Sequence, residues 1–141
     1  MKKIISTILI AASLMFVATN FSSCKKYEDG PSMSLRSKKA RLVGKWEIEK
    51  YYLNEKDYTH DILSVIKDNS YTFKSDGTYE VYIDGEGDNG KWEFNSDKTK
   101  ILVTVNNETD TWTIRRLTNS ELWVEYMDDK DKEVIHFKSK D

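Results

Sequence analysis

The chain has one cysteine, one proline and two histidines in 141 residues. A single cysteine closes no internal disulfide, which excludes a disulfide-stapled miniprotein. Neither His60 nor His136 stands at metal-ligand spacing, since there is no HExxH and no paired Cys/His motif. A Gly-x-Ser-x-Gly nucleophile elbow is lacking, as is a glycine loop that opens a helix to cradle phosphate. Charge of one sign is lacking too. The 22 basic and 24 acidic residues leave a net −2, which is no electrostatic footprint for nucleic acid. The apolar stretches fall short of the ~20 residues that a membrane-spanning helix needs. The chain therefore reads as one domain at most. It is expected to be no enzyme and to carry no cofactor and no metal.

What is present is unevenly spread. Residues 1–23 hold 14 of the 54 apolar residues and no acidic one. Lys2 and Lys3 precede a run from Ile4 to Ala18 in which only Ser6, Thr7 and Ser13 are polar. A positive start, an apolar run and small residues at its end read as a cleaved secretory signal over residues 1–23. The lone Cys24 sits where cleavage is expected. Phe21-Ser22-Ser23-Cys24 resembles a bacterial lipobox, with Phe21 where lipoboxes prefer Leu. That resemblance implies acyl chains on Cys24, a membrane as partner, and an outer-membrane lipoprotein facing the periplasm or the cell surface. Several acyl chains anchor stably where one is marginal, at ~0.8 kcal/mol per buried methylene. A charged tract, Lys25 to Asp29, and the Gly30-Pro31-Ser32 break read as a linker. Ser34 to Leu42 has the spacing of one or two helical turns, with Ser34 as the cap. Residues 24–41 are thus the lipidated cysteine, linker and helical turn, and residues 42–141 the folded domain.

That domain alternates with period two, the signature of half-buried strands. Trp46, Ile48 and Tyr52 fall on one parity, with Glu47, Glu49 and Tyr51 on the other. Tyr71 and Phe73 follow, then Tyr79, Val81 and Ile83, then Trp92 and Phe94. Ile101, Val103 and Val105 come next, then Trp112 and Ile114. Leu122, Val124 and Tyr126 precede Ile135 and Phe137. Asp84 to Gly90, Asn106 to Asp110 and Asp128 to Lys132 read as loops or turns. Eight short strands with short connections make an antiparallel meander. Its natural closure is an eight-stranded up-and-down β-barrel, which leaves no free edge. A two-sheet sandwich is the alternative. Residues 54–69 form the one long connection. Ile62, Leu63 and Ile66 there share a helical face, with Thr59 as the cap, so a short helix is expected between strands one and two as a lid over one barrel end. Asp84, Glu86 and Asp88 have the spacing that begins a calcium loop. Asn89 and Asn95 stand where such a loop needs Gly and Glu, so a solvated hairpin loop is the reading.

Leu42-Val43-Gly44-Lys45-Trp46 resembles the Gly-x-Trp opening of lipocalins. Gly90-Lys91-Trp92, Tyr71 to Tyr79, Trp112 to Thr118 and Glu121 to Val124 are similar to later strands of small bacterial lipocalin-like lipoproteins. The resemblance covers residues 42 to 138. It implies an all-β barrel that binds a small hydrophobic or amphipathic ligand without catalysis. It also implies a basic residue packed over the opening tryptophan. Arg116 fills that role if it shares the inward parity of Trp112 and Ile114; otherwise it lies at a strand end in solvent.

The candidate ligand-binding residues on the inward parity are Trp46, Tyr71, Phe73, Tyr79, Trp92, Phe94, Trp112, Arg116 and Tyr126. A barrel of eight strands is just wide enough to be filled by its own side chains or to hold one small ligand. Two readings follow. One is an aromatic-walled pocket near a rim, with tyrosine hydroxyls as polar handles. The other is a filled barrel that acts through its outer surface on an envelope protein partner. Tyr51, Leu117, Trp123 and Met127 are on the outward parity.

Overall fold

A computed structural model describes residues 35–140. The signal segment, Cys24, the linker and Ser34 lie outside the described residues. Helix α1 (Lys38–Leu42) leads into β1 (Gly44–Leu53), the two-residue strand β2 (Lys56–Asp57) and helix α2 (Thr59–Val65). Seven strands follow: β3 (Asn69–Phe73), β4 (Thr78–Ile83), β5 (Glu86–Phe94), β6 (Lys100–Val105), β7 (Glu108–Leu117), β8 (Glu121–Asp128) and β9 (Asp131–Ser139). Every neighbour pair is antiparallel, in chain order from β3 to β9. β1 pairs with β3 on one side and β9 on the other. The sheet therefore closes on itself, and the sandwich alternative falls away. The barrel is the expected one of eight strands, with the short helix between its first and second; β2 is a small addition paired to the end of β1.

One end of the barrel is sealed. The core of Leu42, Trp46, Phe73, Trp92, Trp112, Leu117, Leu122 and Phe137 is buried there in edge-to-face and stacked contacts. Ring pairs at these separations add ~0.5–1.5 kcal/mol each beyond the area they bury. Both Gly-x-Trp motifs serve this end. The Trp46 indole N–H donates to the Leu42 carbonyl and the Trp92 indole N–H to the Lys74 carbonyl, both at 2.9 Å. Gly90 is required for close approach: a Cβ there would lie 1.9 Å from the Thr104 carbonyl oxygen. Helix α1 lies across this end. Its cap is Ser37, not Ser34, and the Ser37 hydroxyl accepts from the Ala40 N–H. Arg41 donates to the Leu117 carbonyl and Lys38 to the Lys98 carbonyl.

Two register shifts change the inward parity. The first falls between Ile48 and Lys50 on β1. Beyond it Tyr51 pairs with Ile135 and Tyr52 with Val134, so Tyr51 faces inward and Tyr52 outward, the reverse of strict alternation. Side chains satisfy the backbone there: the Ile48 N–H donates to Asn69 Oδ1 and the Tyr51 N–H to Thr59 Oγ1. Thr59 is thus a tie between α2 and the bulge and not the helix cap, which is Tyr58. The second shift falls between Ile114 and Arg116. It turns Leu117 inward, fully buried, and Arg116 outward opposite Trp123.

Loops are shorter than the apolar pattern suggested. Asp84-Gly85 and Asn106-Asn107 are two-residue hairpin turns with positive φ at both residues, the geometry that matches strand twist. Glu86 to Gly90 and Glu108 to Asp110 are therefore strand, not loop. The Asp84 carboxylate accepts from the Lys67 and Asp68 N–H groups, so the residue that would open a calcium loop is a turn anchor.

Candidate functional site

The end of the barrel opposite α1 carries the β4–β5, β6–β7 and β8–β9 hairpin turns. Paired residues in an antiparallel ladder share a face, so the register assigns the inward side chains. Val81 pairs with Asp88, Val103 with Asp110, and Tyr126 with Glu133. The inward rows thus change character along their length. Deep positions are aromatic and aliphatic; the mouth positions include Ile83 and Leu53 but are mostly acidic (Glu86, Asp88, Glu108, Asp110, Asp128, Asp131 and Glu133), with Lys56 of β2 opposite Leu53. Between the two layers stand half-buried apolar groups that pack on the core, among them Tyr71, Val81, Val105, Tyr126 and Ile135. Helix α2 packs against β1 at this end, and its Leu63 reaches the same cluster.

A hollow of about 420 Å³ lined by Val81, Ile83, Glu86, Gly87 and Asp88 opens at the mouth. A second, of about 360 Å³, runs from Asp110 and Tyr126 onto the outer face at Thr111, Thr113 and Glu125. A groove of about 430 Å³ lies elsewhere, on the outer side of the sheet near the sealed end between Asp76, Lys91, Glu93 and Leu102. It has no inward aromatic beside it except the edge of Trp92.

Four tyrosines converge on the mouth, and each phenol is held protonated. Burial pushes the Tyr71 phenol up to about 12. Burial, the Glu133 hydrogen bond and the Glu133 and Asp131 charges push Tyr51 up to about 12. Tyr79 is raised further by burial, with Tyr71 and Asp110 adding to it. Tyr126 is raised by burial and by the Asp110 and Asp128 charges. All four hydroxyls keep their protons at ordinary pH, and those of Tyr51, Tyr79 and Tyr126 do so within reach of carboxylate charge. Among the described residues no three His, Cys, Asp or Glu side chains gather closely enough to hold a metal ion.

The candidate residues fall into three groups. Trp46, Phe73, Trp92 and Trp112 are core of the sealed half, with Phe94 packed edge-on to Trp92. Tyr71, Tyr79 and Tyr126 stand at or just beneath the mouth. Arg116 is outside. Its guanidinium lies 5.1 Å from the Trp123 ring and pairs with Glu121 at 2.8 Å, so it does not pack over Trp46. The mouth acids and Tyr51 escaped the sequence reading. Acids with alternating parity look like a solvated loop, and the bulge before Tyr51 reverses its face. The usable signal was the parity itself: Asp88, Gly90 and Trp92 are in step, as are Glu108, Asp110 and Trp112.

Comparison with known proteins agrees with this architecture. No curated protein matches the chain. The solved structure of a DUF4847 family protein from Bacteroides vulgatus ATCC 8482 is similar, with TM-score 0.51 and 14% sequence identity over 72% of this chain and 96% of that one. At that identity the likeness concerns the fold. Residues 42–124 match the lipocalin-like domain family, from the helix that seals the barrel to the eighth strand in chain order. On that match and its closed eight-stranded barrel, the chain belongs to the lipocalin-like domain family.

Proposed function

We propose that this protein is a non-catalytic binding module whose barrel mouth takes a small amphipathic molecule, and that Cys24 tethers it to the cell-envelope membrane through acyl chains. The observation that carries the reading is the difference between the two ends. One is sealed by α1, while the other leaves Tyr71, Val81, Val105 and Ile135 half-buried above a packed floor. The mouth hollow of about 420 Å³ falls within the ~300–1,000 Å³ of small-molecule sites, with Val81 and Ile83 as its apolar wall and Glu86 and Asp88 as its polar groups. The lipocalin-like fold is generally one of binding rather than catalysis.

Tryptophan fluorescence titrated with a hydrophobic naphthalene dye tests the reading. Trp112 lies beneath the mouth, and its emission is expected to be quenched. Val81→Trp, which fills the mouth, should abolish the effect, whereas Trp123→Ala on the outer face should leave it intact. The reverse pattern supports a second reading, an interaction surface on the outside of the barrel. That alternative is favoured by one observation: Trp123 and His136 stack at 4.1 Å, flanked by Arg116 and Tyr52, and the Trp123 indole N–H is buried without an acceptor. For the anchor, Cys24→Ala should release the protein from membranes; continued membrane association would refute the tether.

A further inference from the structure

We infer that the sealed end is a docking face for an anionic lipid surface, so that the barrel sits on its membrane with the mouth pointing away; this rests on the Cys24 tether and not on ligand binding. The first support is the charge of that end. Residues 35–45 contain Arg36, Lys38, Lys39, Arg41 and Lys45 and no acid. Arg36, Lys39 and Lys45 are exposed. Hydrogen bonds from this segment reach neutral groups: Arg36 to Asn119 Oδ1 and the Ala40 carbonyl, Lys38 to the Lys98 carbonyl and Arg41 to the Leu117 carbonyl. Those bonds fix α1 across the end without cancelling its charge. The turns beside it add Lys98 and, as counter-charges, Asp76 and Asp97. Lys74 pairs with Glu80 and Arg116 with Glu121, while Glu47 and Asp68 are matched by Lys138 and Lys140, so these leave the positive excess standing.

The hairpins of the other end carry the opposite sign. Residues 84–88 hold three acids and no base, residues 108–110 two acids and no base, and residues 128–133 four acids against two lysines. The barrel is therefore polarised along its axis. An anionic surface attracts one end and repels the other, over the ~8–10 Å that salt leaves unscreened. A few cations attract weakly. They orient a barrel that is already tethered and do not hold an untethered one.

The second support is the point where the tether joins. The chain enters the described fold at Leu35, at the foot of α1. The eleven residues from Cys24 to Leu35 reach at most ~40 Å when fully extended. The tether thus presents the basic end, not the mouth, to the lipid that holds Cys24. Leu35 is also fully exposed, more so than any other large apolar side chain among the described residues. A bare leucine among cations suits a lipid interface, where the apolar group enters the acyl boundary and the cations stay with the head groups. An acidic protein would match the charge, but it would leave the place of the tether and Leu35 unused.

The test is lysine footprinting of the acylated protein on vesicles of phosphatidylcholine alone or with about 30% phosphatidylglycerol, using a water-soluble acylating reagent. Reactivity of Lys39 and Lys45 is expected to fall about fivefold on the anionic vesicles, and to recover at about 0.5 M salt. Lys130 in the mouth hairpin should react equally on both. Lys39→Glu combined with Lys45→Glu, both exposed positions, should remove the protection of Lys98, and Leu35→Ser should weaken that of Lys39. Equal reactivity of Lys39 on the two kinds of floated vesicle overturns the docking face while leaving the tether. Protection of Lys130 together with Lys39 overturns the orientation and the inference with it. Failure to float with either vesicle refutes the tether and the inference together.

Discussion

At the sealed end of the barrel the inward rows carry Trp46, Phe73, Trp92 and Leu117; at the mouth the same rows carry Asp88, Asp110 and Glu133. The backbone pattern is continuous between them, and the environment is not. Below, an inward side chain leaves water, so only apolar groups or bonded indoles are stable there. Above, an inward side chain faces a wet opening, and a carboxylate costs little. One fold thus holds a rigid half that supplies stability and an open half free to be specified by ligand chemistry. The turns follow the same division, with two-residue hairpins at the mouth and longer, side-chain-tied turns such as Asn95 to Thr99 at the sealed end.

Substitutions can break this comparison or sharpen it. The largest effect is expected for Trp46→Ala, which should cost about 3–5 kcal/mol in urea unfolding by removing the central plug of the sealed half. A loss below about 1 kcal/mol would mean the two halves are not energetically distinct. The second bulge is tested by neighbours of opposite fate. Leu117→Ala should cost about 2–5 kcal/mol, and Arg116→Ala no more than about 1 kcal/mol, since a half-exposed ion pair and cation–π contact contribute little. The reverse ranking would put Arg116 inside. The smallest effect concerns pH. The Tyr71 phenol titrates near 10.0 when unfolded and at about 12 when folded, so the native state keeps a proton that the unfolded chain loses. The stability that this contributes is intact below pH 10 and lost as pH rises toward 12. Tyr71→Phe should flatten that decline in unfolding curves recorded across the interval. An unchanged slope would show that Tyr71 is solvated and that the mouth reaches deeper than the core contacts indicate.

Much of the barrel was legible in the sequence because the rule that reveals strands, apolar residues at every second position, holds wherever one face leaves water. Trp46, Phe73, Trp92, Ile101 and Phe137 obey it and are core. The rule fails in two places for separate physical reasons. At Glu49 and Arg115 one extra residue is accommodated in the ladder, and each following side chain changes face. Such a shift leaves no mark in hydrophobicity, which is why Leu117 and Tyr51 were placed on the wrong side and Arg116 was left between an inward and a solvent-facing position. At the mouth the alternation continues, but inside and outside are both wet, so Glu86 to Gly90 and Glu108 to Asp110 looked like loops. The candidate site was the least legible part, because its carboxylates are indistinguishable from surface charge until the register of their partners is known.

The pairing of β1 with β9 has a consequence in time. Trp46 meets Ser139 and Ile48 meets Phe137, so the barrel is closed by contacts between the first strand and the last. β1 meets β3 over three residue pairs, from Gly44 to Trp46, and beyond them pairs with β9, with the two-residue β2 added at Tyr52 and Leu53. Loop closure across nearly the whole domain must come before that pairing contributes anything, which slows folding relative to local structure. A nascent chain therefore has no complete barrel until β9 is made, and every earlier stage leaves the aromatic rows of the first strands unsheathed.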